Sequence, residues 1–143
     1  MRAVILSLAV IENLLPKAVL AKATRTGNEL AWPLADVPEV INAAEARLLA
    51  NLGGQPQFVY PEGTCEPFWL NADADSRRED ETWEEYVRRS ADEIRTGFKR
   101  IVSETDFEKE ARSFSFLAKK LERGEDVMSQ LRFVLYFADE SAV

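Results

Sequence analysis

Hydrophobic side chains recur at helical spacing over most of this chain of 143 residues. The longest stripe lies within residues 82–102, where apolar positions follow one another every three or four residues. Thr82 precedes the stripe and Glu85 follows three residues later, a spacing typical of a capping box. The pattern therefore predicts a long helix after Thr82. Its apolar face consists of Trp83, Tyr86, Val87, Ser90, Ala91, Ile94, Phe98, Ile101 and Val102.

A first helix is predicted over residues 3–23, kinked or split at Pro16 because proline cannot donate a helical hydrogen bond. Its beginning, residues 1–11, superficially resembles a signal peptide. Glu12 ends that apolar run, which is too short to span a bilayer. We therefore expect a core helix and a cytoplasmic protein. The polar residues 24–28 are expected to form a loop.

Two further helices are predicted from their start signals. One begins with Asp36 as N-cap, has Glu39 in position to complete a capping box, and is expected to end at Gly53-Gly54. The other covers residues 105–124 and begins with a third capping box, formed by Thr105 and Glu108.

Residues 55–71 differ from the helical surroundings and predict a β-hairpin. Residues 55–60 carry the aromatic and β-branched residues that strands favour, residues 61–63 are turn formers, and residues 64–71 supply the return strand. Pro56 and Pro67 lack an N–H group and are therefore expected at a sheet edge or bulge.

Residues 126–137 fit either a helix or a strand, because periodicity does not resolve short apolar runs. We favour the helix; a strand would instead become the third partner of the hairpin. Both assignments predict one α+β domain covering residues 1–143. Four or five helices would pack on a small antiparallel sheet or on the hairpin alone.

Net charge and composition limit the classes of partner and the kinds of catalytic or metal site that this chain can have. The net charge of −7 disfavours nucleic acids and anionic membranes and suits a basic protein partner. The chain has no histidine and one cysteine, which excludes histidine-based catalysis and a structural zinc site. Residues 71–82 resemble a calcium loop but lack its glycine and final glutamate. We expect no metal and no cofactor, and we expect Cys65, beside Glu66, to serve packing.

Acidic residues cluster around the start of the long predicted helix. Acidic side chains at this position stabilise the helix dipole and are typical of a solvated helix face. They could equally form a surface that binds a basic partner. The polar face of the hairpin is the second candidate surface. The predicted partner-binding residues are Tyr60, Glu62, Glu66, Trp69, Glu79, Asp80, Glu81, Glu84 and Glu85.

The segments Gly53-Gly54-Gln55, Gly63-Thr64-Cys65-Glu66, Phe68-Trp69 and Trp83-Glu84-Glu85-Tyr86-Val87 together resemble an uncharacterised family of small bacterial proteins. In size, acidity and lack of catalytic groups the chain also resembles, by type alone, the immunity proteins of bacterial toxin systems. The second resemblance implies a non-enzymatic inhibitor that binds a basic toxin through an acidic surface. In such a complex we expect Tyr60 and Trp69 to serve as aromatic anchors.

Two other functions stay open. A small enzyme or ligand-binding domain would use a carboxylate pair drawn from Glu62, Glu66, Asp73 and Asp75 in a closed pocket. A structural homo-oligomer, such as a homodimer, would instead assemble through an exposed hairpin edge or through the long helix.

Overall fold

The computed structural model describes residues 5–142, and these residues form an α+β fold. The α-helices are α1 (Leu8–Leu14), α2 (Lys17–Leu20), α3 (Val37–Ala46), α4 (Trp83–Glu104), α5 (Phe107–Ala111) and α6 (Ser115–Glu122). The strands are β1 (Thr24–Thr26), β2 (Glu29–Trp32), β3 (Ala50–Tyr60), β4 (Gly63–Cys65), β5 (Ala72–Asp73) and β6 (Leu131–Ala138). Within residues 5–142 no helix combines the length and apolar character needed to cross a bilayer.

The strands form one antiparallel sheet in the order β1-β2-β6-β3-β4, and β5 pairs with the first part of β3. Alternate residues of β6 point to one face, where Phe133, Leu135 and Phe137 join the main hydrophobic core with α1 to α4. Leu131 and Phe58 face the same way and pack with α5 and α6. The helices therefore cover one face of the sheet.

The long helix is confirmed. Helix α4 begins after Thr82, whose hydroxyl accepts from the backbone N–H of Glu85 at 3.1 Å. The Glu85 carboxylate in turn accepts from the backbone N–H of Thr82 at 2.9 Å, which completes the predicted capping box. The split of the first helix at Pro16 is also confirmed, since α1 ends before it and α2 begins after it. Residues 3 and 4 of that prediction lie outside the described residues.

The other two predicted capping boxes are wrong. Asp36 precedes α3, but its side chain makes no cap hydrogen bond, because its backbone is already helical within a short 3₁₀ turn at Leu34–Asp36. At α5 the cap is Asp106 rather than Thr105, and its carboxylate accepts from the backbone N–H of Lys109 at 3.1 Å. The predicted helix over 105–124 is also broken into α5 and α6.

The predicted end of the second helix at Gly53-Gly54 is wrong. Helix α3 already ends at Ala46, and Leu48 takes a left-handed conformation with φ 57°. The two glycines lie inside the eleven-residue strand β3. Gly54 is needed there because a Cβ atom would lie 2.7 Å from the backbone oxygen of Val134 in β6.

The preference for a helix over residues 126–137 is wrong. Residues 131–138 form β6, the strand between β2 and β3, after a 3₁₀ turn at Met128–Gln130. Val134 is fully buried on one face and Phe133 on the other, so residues 133–135 form a continuous apolar run without strand alternation. The predicted loop over residues 24–28 is corrected as well, because residues 24–26 are strand β1.

The hairpin is confirmed as far as β3, its turn at residues 61–62 and β4. The return strand is shorter than expected, since β4 ends at Cys65 and pairing with β3 resumes only at β5. Pro56 lies between these two pairings, where one side of β3 has no partner strand among the described residues, as an edge position requires. Pro67 lies in the loop after β4.

Candidate functional site

Five aromatic side chains gather where β3 ends and the chain turns into β4. The rings make two separate sets of contacts, one that includes Phe116 and one that includes Phe114. The Tyr60 and Phe116 rings meet edge to face, with centroids 5.4 Å apart. The Trp69 ring stacks on Phe114 at 6.1 Å and meets Phe68 edge to face at 5.1 Å. We call this cluster the aromatic tip: Tyr60, Phe68, Trp69, Phe114 and Phe116.

The outer rings of the aromatic tip are exposed to solvent although they are large and apolar. Phe68 is 69% exposed, Trp69 47% and Phe116 37%. Trp69 is held in place because its indole N–H donates to the carboxylate of Glu110 at 2.8 Å. Fixed aromatic rings at the surface are typical of contact sites for other proteins, since little side-chain entropy is lost on binding.

The surroundings of the aromatic tip are mostly acidic. Partial burial raises the pKa of the Tyr60 hydroxyl, and the nearby charges of Glu125, Asp126 and Glu62 raise it further. Cations lie among these carboxylates as well. The ammonium of Lys120 lies 4.9 Å from the ring centroid of Tyr60 and 4.8 Å from that of Phe116, and Arg123 Nε lies 3.2 Å from Glu125 Oε2. The tip thus combines apolar contact area with carboxylates that attract a positively charged partner.

The acidic residues at the start of α4 divide into two groups. Glu81 is only 10% exposed and binds Arg89, with its Oε2 atom 2.5 Å from the guanidinium Nε. The hydrogen bonds from Arg89 lower the pKa of Glu81 to about 2. Glu85 is exposed but serves the helix cap, and this bonding lowers its pKa. The carboxylates left facing solvent are those of Glu79, Asp80 and Glu84.

The structure does not bring these acidic residues to the aromatic tip. Trp83, at the start of α4, donates its indole N–H to the carbonyl of Leu48 at 2.8 Å and packs with Ala50 at the beginning of β3. Tyr60 ends the same strand. Eleven residues of strand separate the two ends by about 35 Å. The predicted partner-binding residues therefore form two surfaces, with Tyr60, Glu62 and Trp69 at one end and the acidic residues of α4 at the other.

Glu66 belongs to a polar network on the sheet face that the helices leave uncovered. The sheet curls there, so that Thr26 in β1 comes within 3.5 Å of Gln57 in β3. Gln57 is fully buried, and its amide nitrogen donates to the carboxylates of both Glu66 and Glu29. Burial raises the pKa of Glu66, and the neighbouring charge of Glu29 raises it further. About half of the polar side chains of the hairpin therefore bond within the protein and do not face solvent.

The other carboxylates singled out from the sequence lie apart from this network. Glu62, Asp73 and Asp75 are exposed. Among residues 5–142 no three Cys, Asp or Glu side chains are placed to hold a metal ion. Cys65 is half-buried against the core beneath α5 and α6, and burial raises the pKa of its thiol.

Sequence reasoning missed three residues of the aromatic tip, namely Phe68, Phe114 and Phe116. A signal was present: Phe114 and Phe116 are two residues apart, and such positions do not share one face of a helix. One of them must therefore point away from the core. The inward partners Glu29 and Tyr136 gave no local signal, because they are far from residues 55–66 along the chain.

Comparisons with known protein families, with curated proteins and with solved structures find no match to this chain.

Proposed function

We propose that this chain is a non-enzymatic protein-binding domain whose aromatic tip anchors a basic partner. The observation that carries the proposal is the group of three exposed rings Phe68, Trp69 and Phe116. Phe68 packs on Trp69, and Phe116 packs on Tyr60. The specific form that we favour is an immunity-type inhibitor, which would neutralise a basic bacterial toxin by covering its functional surface.

The contact chemistry supports a protein partner. Aromatic side chains bury large areas and dominate the energetics of interfaces, where a central anchor contributes about 2–4 kcal/mol. Trp69 also presents an oriented side chain, because Glu110 and Phe114 hold its ring from two sides. A partner therefore meets a surface that is ordered before binding.

The charge distribution supports a basic partner. The chain has a net charge of −7, and Glu62, Glu125 and Asp126 lie close enough to Tyr60 to raise its pKa. Exposed carboxylates around an apolar centre match the usual arrangement of a polar rim around buried anchors. Long-range attraction of a cationic protein by this rim should weaken as salt is added.

The test is quantitative capture from a lysate of the source organism, followed by calorimetry with the captured protein. We expect the wild-type chain to bind a protein of high isoelectric point. A Phe68→Ala/Trp69→Ala variant should bind at least about 30-fold more weakly, because two anchors are lost. Val10→Ala, which removes an exposed hydrophobic side chain 40% accessible on α1, is the matched control and should bind like the wild type.

Two results would contradict the proposal. The first is equal binding by the double variant and by the control, which would place the interface elsewhere. The second is self-association of the wild-type chain, measured by light scattering and abolished by the double variant, which would make the tip a homodimer contact. The immunity-type form is tested separately, by measuring whether the wild-type chain inhibits the activity of the captured protein and whether the double variant does not.

A further inference from the structure

The two ends of the sheet are free strand edges that approach each other. Strand β1 begins the strand order and β4 ends it, and within residues 5–142 no further strand pairs with the outer side of either. The curl of the sheet brings them together, because the side-chain amide of Gln57 bonds both to Thr26 of β1 and to Glu66 directly after β4. A cleft of about 710 Å³ lies there, lined by Arg25 on one edge and by Thr64 on the other.

The free edge of β4 offers a backbone donor and a backbone acceptor at Thr64. Residues 61–62 form a two-residue turn, so Tyr60 and Gly63 on either side of it are a hydrogen-bonded pair. Val59 and Thr64 are then the adjacent non-hydrogen-bonded pair, in which the backbone N–H and C=O groups point away from the partner strand. Thr64 is exposed and therefore directs both groups out of the sheet towards solvent.

The edge of β4 is also open to an incoming strand in its side chains. Sheet edges are commonly protected by charged side chains or by proline. Strand β1 carries Arg25 at the position whose backbone groups point outward, since Thr26 and Glu29 flank its two-residue turn. Strand β4 is Gly63-Thr64-Cys65 and contains neither a charge nor a proline. Of the two edges, β4 is therefore the one suited to pairing.

A chain added to β4 finds a space on each face of the sheet. The Thr64 side chain lies on the same face as Val59, where the cleft opens. Cys65 lies on the other face and packs with Phe58 beneath α5 and α6. A second space of about 220 Å³ lies there against Cys65 and Phe116. It has room for one aliphatic side chain, since about 150 Å³ holds benzene.

Both spaces adjoin the aromatic tip. Tyr60 lines the cleft and Phe116 lines the smaller space, and these two rings meet edge to face. A protein anchored on the aromatic tip therefore lies directly beside the free edge of β4. When an extended segment adds to a sheet edge, main-chain hydrogen bonds supply affinity and pockets for alternate side chains supply specificity. This edge has both features.

We propose that the partner contributes an extended segment, which adds to β4 as a new edge strand. Its backbone bonds to the N–H and C=O groups of Thr64. One apolar side chain of the segment enters the space beside Phe116, and the next side chain along faces the cleft. The inference rests on the proposed function, because the protein that is anchored at the aromatic tip supplies this segment.

The first test uses nuclear magnetic resonance on the labelled full chain, with a blocked pentapeptide of alternating threonine and valine as the probe. In excess peptide we expect the Thr64 amide signal to shift and its hydrogen exchange to slow at least about tenfold, because the amide gains a partner. The amide of Gly63 already bonds to Tyr60 and is the internal control, whose exchange should change less. The same peptide with N-methylated backbone nitrogens should cause neither change.

The second test compares two variants at one position. Thr64→Pro should bind the pentapeptide at least about tenfold more weakly, because the outward N–H is lost at a position where an edge strand tolerates proline. Thr64→Val keeps the N–H group and the preference for a strand, so this matched control should bind like the wild type. With the captured partner, Thr64→Pro should likewise bind more weakly than Thr64→Val. If Thr64→Pro fails to fold, the exchange measurement on the wild-type chain decides.

Four results would overturn the proposal: equal effects of the two peptides, an unchanged Thr64 signal, equal binding by Thr64→Pro and Thr64→Val, or slow exchange of the Thr64 amide in the free chain. The last result would show that the edge is already covered by this chain or by a second copy. The peptide experiments use neither the partner nor Phe68 and Trp69. Failure of the strand addition is therefore distinguishable from failure of the proposed function, which the Phe68→Ala/Trp69→Ala variant tests.

Discussion

Replacing Gly54 with alanine tests the close approach of β3 and β6. A Cβ atom at this position would overlap Cε1 of Phe133 and lie 2.7 Å from the backbone oxygen of Val134. Neither neighbour moves easily: Phe133 is fully buried and its ring meets Phe98 of α4 edge to face at 5.0 Å, and the Val134 oxygen belongs to a central strand.

The expected cost follows from two opposing effects. Forcing a methyl group into a packed core costs about 3 kcal/mol at the upper end of measured values. Alanine is favoured over glycine in a strand by about 0.5–1 kcal/mol, because less backbone entropy is lost. The net loss of unfolding free energy at Gly54→Ala is therefore about 2 kcal/mol. With a urea m-value of about 2 kcal/mol/M, the midpoint should fall by about 1 M.

Gly53→Ala is the matched control. Its Cβ atom would lie 3.1 Å from the backbone oxygen of Ala72 and from Oδ1 of Asp73, both in the short strand β5. The exposed Asp73 side chain can move aside, and the Ala72 oxygen needs to shift by only a few tenths of an ångström. The unfolding free energy should therefore change by less than about 0.5 kcal/mol. Equal midpoints for Gly54→Ala and the wild type in urea denaturation would refute the packing of β3 against β6.

Three further predictions concern stability and are checked by urea denaturation. Thr82→Ala should lower the unfolding free energy by about 1 kcal/mol, whereas Asp36→Ala, which removes no cap hydrogen bond, should change it by less than about 0.5 kcal/mol; equal losses would contradict the assigned caps. The pKa of Glu81 falls from 4.5 to about 2 on folding, so its stabilisation is present above pH 4.5 and is lost as the pH falls towards 2. Glu81→Gln should destabilise the chain at neutral pH and flatten the pH dependence in that window, and an unchanged slope would argue against its pairing with Arg89. Asn51 is 1% exposed and its amide has no partner among residues 5–142, so Asn51→Val should raise the unfolding free energy by about 1 kcal/mol, and a loss would show that the amide is satisfied.

Local signals in the sequence were sufficient for α4 and for the β3–β4 turn. Each of these signals involves residues that are close in the sequence. They are the Thr82 and Glu85 pair, the apolar stripe that follows it, and the turn residues 61–63. The same kind of signal failed at Gly53-Gly54, because a glycine pair marks a helix end and a close backbone approach equally well. Only the position of Phe133, far along the chain, decides between them.

The strand over residues 131–138 shows a second limit. The central run Phe133-Val134-Leu135 is buried on both faces of the sheet and fits a helix or a strand equally well, so its identity depends on the neighbours β2 and β3. The candidate sites also depend in part on contacts between residues that are distant in the sequence. Trp69 and Tyr60 could be singled out as aromatics near a turn, but Glu29 meets Tyr136 only because the sheet places β2 beside β6.

The gap beside β3 has a consequence for backbone hydrogen bonding. Between its pairings with β5 and β4, the backbone of residues 55–57 has no neighbouring strand on one side among the described residues. Pro56 and Gln57 are buried there, and a buried N–H group without a hydrogen-bond partner costs free energy. Pro56 stands in the middle of this gap and has no N–H group. The residue that interrupts the hairpin pattern in the sequence thus spares the folded sheet an unpaired donor at this point.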